Sequence, residues 1–457
     1  MDKREHWGSK FGFILAASGS AVGLGNIWKY PYIAGENGGG AFTLIYLLCI
    51  LIVGMPIVIG EFVIGRKTQL SPVGAFEKLA PNSYWKLVGV LGVLSAFVIL
   101  AFYGVVGGWT LRYTFLSLAG GFSELSGNPD LSGAVFNNFI TNPWYPLFFH
   151  FIFMGLCIWI IIHGIKGGIE KWSKIMMPLI FFILIILVIR GITLPNATAG
   201  FSFLFKPKFE DITASSIVLA LGHSFFTISL GMGTMITYGS YLRKEQNLLN
   251  SAIWVVILDT GLALLAGLAI FTTVFSVGAD PAGGPGLIFV VLPTIFPQLP
   301  GGLLWGTLFF FLLFLAALTS AISILEVVTA YFIDQKGWSR LKATLLFGLI
   351  ITGVGVLCSF SLGDGLNITS FFGMKFFDFM DNLSSKYMLP LGGMLTAIFI
   401  LVRWKVPNFL EEFYLGMTNR IFSISIIKTF LTIASLVVGF IILNEIFGIL
   451  FGAPLIG

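Results

Sequence analysis

The chain has 457 residues, of which 57% are hydrophobic and only 10% charged, with a net charge of +5 and a mean hydropathy of +0.95. Soluble globular proteins carry about a quarter charged residues. The composition therefore excludes a soluble enzyme, a nucleic-acid binder and a disordered chain, and leaves a polytopic membrane protein.

At roughly 20 apolar residues per crossing, the length accommodates about ten to twelve helices. Runs such as 179–189 (LIFFILIILVI) and 308–315 (LFFFLLFL) lack the alternation of a transmembrane β-barrel. Apolar runs punctuated by Gly, Pro and charge predict eleven segments, at 10–35, 40–66, 86–118, 146–163, 173–190, 212–241, 251–276, 303–333, 341–360, 383–403 and 426–450. With the N-terminus in the cytoplasm, the outer side keeps only Lys29, Arg112, Arg190, Lys206, Lys208, Lys375 and Lys386 of the 26 basic residues. That asymmetry follows the positive-inside rule, so the basic excess is topology rather than affinity for nucleic acid. The expectation is a multi-pass plasma-membrane protein with a cytoplasmic N-terminus, an outer C-terminus and no cleavable leader. Loops leave no room for a soluble domain, and no obligate protein partner is evident. Cys49, Cys157 and Cys358 lie inside apolar runs without metal or disulfide spacing. Neither a GxxxxGK[ST] phosphate loop nor an HExxH motif occurs.

Two segments contain what a spanning helix avoids. Segment one carries Ser18-Gly19-Ser20-Ala21-Val22-Gly23-Leu24-Gly25-Asn26, and segment six carries Thr227-Ile228-Ser229-Leu230-Gly231-Met232-Gly233. Each glycine costs about 1 kcal/mol of helix propensity, and freed backbone groups in lipid are tolerated only around a protein cavity. The alternative is close GxxxG-type packing. The two breaks occupy matching positions in two five-helix halves, 1–190 and 191–405, with 406–457 holding a peripheral eleventh helix. Five is odd, so the second half runs inverted, the pattern of a carrier with a central site at the breaks. Half-helix N-termini suit a carboxylate, and unwound carbonyls suit Na⁺ or an ammonium group.

The stretch REHWGSKFGFILAASGSAVGLGNIWKYPY (4–32) with AGENGGGAF (34–42), FFTISLGMGTMITYGSY (225–241) and FLAALTSAIS (314–323) resembles the neurotransmitter:sodium symporters, in their bacterial amino-acid-transporting branch. The similarity runs through all eleven segments. It implies an all-α membrane fold with a 5+5 inverted repeat and discontinuous helices one and six. It also implies no enzymatic activity and two sodium sites. The first would use Ala21, Asn26, Thr227, a residue of segment seven and the substrate carboxylate. The second would use Gly19, Val22, Ala316, Thr319 and Ser320. In segment seven Asp259 stands where many members have asparagine. A lone membrane carboxylate costs on the order of 2.5–3.5 kcal/mol at mid-bilayer, so it calls for a cation, and sodium binding would make chloride dispensable. The other reading of Asp259 is a solvated or salt-bridged residue near the helix end.

The same resemblance places the substrate carboxylate against Tyr103 and the amides of Gly23, Leu24 and Gly25, beside Ala21 and Thr227. Ile99, Phe226, Ser229, Met232, Ala321 and Ile324 would line a side-chain pocket without charge, suited to hydrophobic and large aromatic amino acids. Lys29, where the family usually has arginine, and Asp381 would form the outer gate. Arg4, Trp7, Tyr241 and Asp334 would form the inner one. His223, at a position usually glutamine, reads equally as a satisfied interior histidine or a functional one. Glu61 and Glu326 read as hydrogen-bonded structural carboxylates. The expected function is sodium-coupled import of hydrophobic L-amino acids. A related carrier of another small solute and a non-transporting amino-acid sensor remain the alternatives.

Overall fold

Helices dominate because apolar side chains in a bilayer leave the backbone no partner but itself. The computed structural model describes residues 5–363, 369–371, 373–418, 420 and 422–451. Among them, nine helices are long and apolar enough to cross a membrane: Gly40–Thr68, Lys86–Leu118, Tyr145–Ile162, Ile165–Ile192, Leu248–Ser276, Gly302–Lys336, Arg340–Phe360, Phe376–Trp404 and Ile424–Gly448. They correspond to segments two to five and seven to eleven. Segment one is two helices, Lys10–Ala21 and Gly25–Glu36, meeting at 50°. Segment six is Ala214–Thr227 and Thr234–Gly239, separated by an irregular stretch. With each broken pair taken as one crossing, the fold is compatible with eleven.

Local chemistry sets the ends. The Ser9 side chain accepts from the Gly12 amide at 2.9 Å and starts the first half-helix. A reciprocal Thr213–Ser216 capping box starts the sixth segment. Gly337, at φ +65°, stops segment eight.

Burial separates scaffold from periphery. The most apolar window of Gly302–Lys336 is 89% buried and that of Lys86–Leu118 72%, whereas that of Ile424–Gly448 is only 22% buried. Segments three and eight pack on each other at the centre, and both broken segments lie in the same buried apolar cluster. Ile424–Gly448 is the least buried of these nine helices.

The structure departs from the predicted pattern in four ways. Helix five begins at Ile165 rather than 173, through a widened turn over Ile165–Glu170. Charged residues there suggested a loop, but Glu170 is held by Lys174 at 2.6 Å, the Gly8 amide at 2.6 Å and Ser9 at 3.0 Å. Helix ten begins at Phe376 rather than 383, so Asp381 lies within it. Connections contain short helices at Pro72–Leu79, Pro129–Thr141, Ala197–Phe205, Leu287–Gln298 and Val406–Phe413. A two-stranded hairpin, Thr369–Phe371 with Met374–Lys375, interrupts the all-helical pattern.

Candidate functional site

The first half-helix ends at Ala21, Val22 is extended (φ −69°, ψ 104°), and helix resumes at Gly25. Two freed amides find side-chain acceptors: Gly23 donates to Asn26 Oδ1 at 3.0 Å and Leu24 to Tyr103 Oη at 3.0 Å. A Cβ on Gly23 would lie 2.7 Å from Tyr103 Oη and 2.9 Å from Ser320 Oγ. Only glycine lets the chain approach both segments three and eight here.

Segment six breaks through three residues at positive φ, Ser229 (+55°), Gly231 (+77°) and Gly233 (+75°). The Gly231 amide donates to Glu61 Oε1 at 2.9 Å, and Glu61 is fully buried. The expected structural carboxylate therefore fastens this break to helix two. A Cβ on Gly231 would collide with the Leu389 carbonyl.

Two groups of oxygens flank the breaks. In one, Asn26 Nδ2 donates to Asp259 Oδ1 at 2.8 Å and to the Asp259 carbonyl at 3.0 Å, and Thr227 Oγ1 donates to Asp259 Oδ1 at 3.2 Å. Asp259 is fully buried in the middle of Leu248–Ser276, and no ion pair reaches it among the described residues. That removes the reading of a solvated or salt-bridged helix-end residue. In the other group, Thr319 Oγ1 donates to the Ala316 carbonyl at 3.0 Å and faces the Val22 carbonyl at 3.4 Å, while Ser320 Oγ donates to the Ser20 carbonyl at 3.0 Å. Gly19 faces Thr319, whose Cβ an added methyl would meet at 3.4 Å. No three His, Cys, Asp or Glu side chains gather among the described residues. A cation here would be held mainly by neutral oxygens, the chemistry of an alkali ion.

The expected pocket residues Ala21, Leu24, Ile99, Tyr103, Met232, Ala321 and Ile324 are buried in the same cluster, with Phe226 half-buried against it. Segment six crosses close to segment one: a Cβ on Gly25 would stand 3.1 Å from the Phe226 ring and 3.5 Å from the Thr227 backbone.

Side-chain contacts bridge the segments at both ends of the central region. At one end, Lys29 Nζ is 2.9 Å from Asp381 Oδ1 and 4.3 Å above the Phe226 ring. Ser385 donates to the same carboxylate oxygen at 2.8 Å. At the other end, Trp7 is buried against Tyr238 and Tyr241, its indole donating to the Tyr238 carbonyl at 3.0 Å. Tyr241 Oη donates to Glu326 Oε1 at 2.6 Å. Asp334 accepts from the Ser71 amide at 2.6 Å. Arg4, its expected partner, lies outside the described residues.

Sequence reasoning missed three participants. Arg340 grips the buried Glu326 through Nη1 at 2.7 Å and Nη2 at 3.1 Å; the signal was an acid inside an apolar run, which needs a partner. Ser20 and Ser323 pair through their hydroxyls at 2.7 Å beside the first break, and nothing in their spacing announced it. Neither ring nitrogen of His223 has a hydrogen-bond partner among the described residues, and the ring lies against Tyr30 and Tyr46 with centroids 6.2 and 5.3 Å away.

Paired broken helices with buried polar groups between them, inside a many-helix membrane bundle, define a secondary transporter. The model of the sodium:neurotransmitter symporter family matches residues 4–125 and 145–449. The uncharacterized sodium-dependent transporter YhdH of Bacillus subtilis (strain 168) is 43% identical over 410 residues, 90% of each chain. An uncharacterized sodium-dependent transporter of Haemophilus influenzae is 38% identical over 411 residues, 87% of this chain and 89% of that one. The crystal structure of MhsT in complex with L-phenylalanine superposes with a TM-score of 0.88 at 46% identity, covering 96% of this chain and all of the other. The chain belongs to the sodium:neurotransmitter symporter family, itself a type example of the inverted-repeat architecture. It is a sodium-dependent, multi-pass membrane transporter of a small molecule, not an enzyme.

Proposed function

We propose that the protein imports hydrophobic L-amino acids, aromatic ones included, together with two sodium ions by alternating access between two inverted halves, 1–190 and 191–405. The N-terminus is cytoplasmic. The observation that carries the reading is the buried Asp259 carboxylate, touched among the described residues by the Asn26 amide and the Thr227 hydroxyl at the edge of both breaks. Sodium at the first site supplies its missing countercharge, shared with the Ala21 carbonyl and the substrate carboxylate, and chloride is then dispensable.

One pair in the second group of oxygens matches the spacing of a hard-cation shell. Ligands about 2.4 Å from such an ion stand roughly 3.4 Å apart at right angles, and Thr319 Oγ1 lies 3.4 Å from the Val22 carbonyl. Gly19, Ala316 and Ser320 complete this site. Tyr103 and the amides around Leu24 hold the substrate carboxylate. Ile99, Phe226, Met232, Ala321 and Ile324 enclose its side chain without charge. Met232, unbranched and between two glycines, adapts to side chains of different shape. The phenylalanine bound by MhsT, similar over 96% of this chain, supports this substrate class. Lys29–Asp381 closes the outside, and Trp7, Tyr241 and Asp334, with Arg4, close the inside.

The driving force suffices. Two Na⁺ moving down about 100 mV release roughly 4.6 kcal/mol, about a thousandfold accumulation of a net-neutral solute. Uptake of labelled phenylalanine into proteoliposomes tests the reading. Accumulation should require an inward sodium gradient and persist when chloride is replaced by gluconate. Uptake indifferent to sodium would refute it, and sodium-dependent binding without accumulation would favour a sensor.

A further inference from the structure

The Ser20 carbonyl, in the last turn of the first half-helix, has lost its helical donor, because the Leu24 amide turns to Tyr103. It accepts instead two hydroxyls from different elements, Ser229 of the segment-six break at 2.9 Å and Ser320 of segment eight at 3.0 Å. Its own hydroxyl pairs with Ser323 at 2.7 Å, and Ser323 lies 2.7 Å from the Ser320 carbonyl. Ser323 is the donor to the Ser20 hydroxyl, and the Ser320 carbonyl is the second acceptor within reach of its single proton. Both ends of Ser20 are thus tied to segment eight. Ser229 holds φ at +55°, a conformation L residues rarely adopt, and its hydroxyl reaches Ser20 from there.

We infer that the Ser20 carbonyl is the joint through which a cation at Thr319 and Ser320 sets the conformation of the segment-six break, with Ser229 the positioning residue that transmits it. The inference rests on reading Thr319 and Ser320 as ligands of the second sodium. A hydroxyl ligating a cation turns a lone pair to the ion and sends its proton elsewhere. For Ser320 the acceptor in place is the Ser20 carbonyl. Coordination strengthens that donor, and without the ion the proton is free to turn to the carbonyl four residues back, at Ala316. With the ion bound, the Ser20 carbonyl is pinned where Ser229 reaches it. The strained turn persists, and Met232, three residues on, is held in the pocket wall. Substrate affinity then depends on the second sodium although the two do not touch, and the dependence is reciprocal.

The test is a sodium titration of L-phenylalanine binding to the purified full chain and to Ser229→Gly. Glycine suits the positive φ better than serine, so this substitution removes the hydroxyl without disturbing the backbone, and thermal melting in sodium verifies the fold. For the wild type, log affinity below saturation should rise with log sodium with a slope of about two, one for each coupled ion. For Ser229→Gly the slope should fall to about one, with roughly tenfold weaker binding at saturating sodium. Ser20→Ala keeps the carbonyl but removes its tie to Ser323, and should show the same change in weaker form. A role confined to stability leaves the slope at two in both variants, and that result overturns the inference. A wild-type slope of one or less overturns the two-sodium reading beneath it, and the inference with it.

Discussion

Replacing Asp259 with asparagine removes a charge while keeping shape. The carboxylate is fully buried and its side-chain contacts are the Asn26 amide at 2.8 Å and the Thr227 hydroxyl at 3.2 Å, both donors. An asparagine oxygen in the same place accepts both, so the fold should survive. What is lost is the attraction for a cation. At an effective dielectric near 20, unit charges about 4 Å apart attract by ~4 kcal/mol, close to a thousandfold in an equilibrium constant. The substituted side chain retains part of this through its amide dipole, so the sodium concentration for half-maximal phenylalanine binding should rise between about tenfold and a thousandfold. Stability carries the opposite sign. A buried charge without a partner is costly, so Asp259→Asn should melt higher than the wild type in sodium-free buffer. Sodium at 100 times its Kd stabilises by about 2.7 kcal/mol, and this sodium-induced rise in Tm should largely vanish. Sodium titrations of binding, with melting curves in sodium and in potassium, read both effects. Wild-type sodium affinity in Asp259→Asn refutes the reasoning, because no other acidic side chain touches Asn26 or Thr227 among the described residues and the substrate carboxylate is common to both proteins.

Three further outcomes follow from contacts elsewhere. Gly23→Ala places a methyl 2.7 Å from Tyr103 Oη and 2.9 Å from Ser320 Oγ, so phenylalanine binding should disappear while detergent-solubilised protein still elutes as a folded species. Lys29→Arg offers Asp381 a bidentate partner; because the pair is partly exposed, at 12% and 32%, the gain is about 0.2–1 kcal/mol, and release of bound phenylalanine should slow about one-and-a-half- to fivefold in a dissociation assay. Arg340→Ala strands the buried Glu326, a loss of about 3–5 kcal/mol. Hydrogen exchange over residues 5–10 should accelerate as the inner end opens, and adding Glu326→Gln should reverse much of it.

Much of the architecture was legible because a bilayer makes sequence literal. An apolar run of crossing length is a helix, and glycines beside Asn26 or Thr227 stand out against it. Both breaks lie where the pattern put them. Helix boundaries near charge were less legible. Lys166, Glu170 and Lys171 look like a loop in sequence, yet Glu170 is satisfied by Lys174 and the Gly8 amide, from another part of the chain. The Lys29–Asp381 pair was readable only through family resemblance, since the two residues are 352 positions apart.

By itself, the sequence determined that the chain lives in a membrane, where it crosses, and which few polar residues lipid would not tolerate without a task. The tertiary structure decided how those residues are paired. It brought Asp259 to Asn26 and Thr227 with no cationic side chain in reach among the described residues, gave Glu326 to Arg340, left both nitrogens of His223 without a hydrogen bond among those residues, and placed one carbonyl, Ser20, under two hydroxyls from separate segments. Hydrophobicity is a property of each residue and is written along the chain. A hydrogen bond depends on angles and distances between atoms far apart in sequence, and those exist only once the helices have packed.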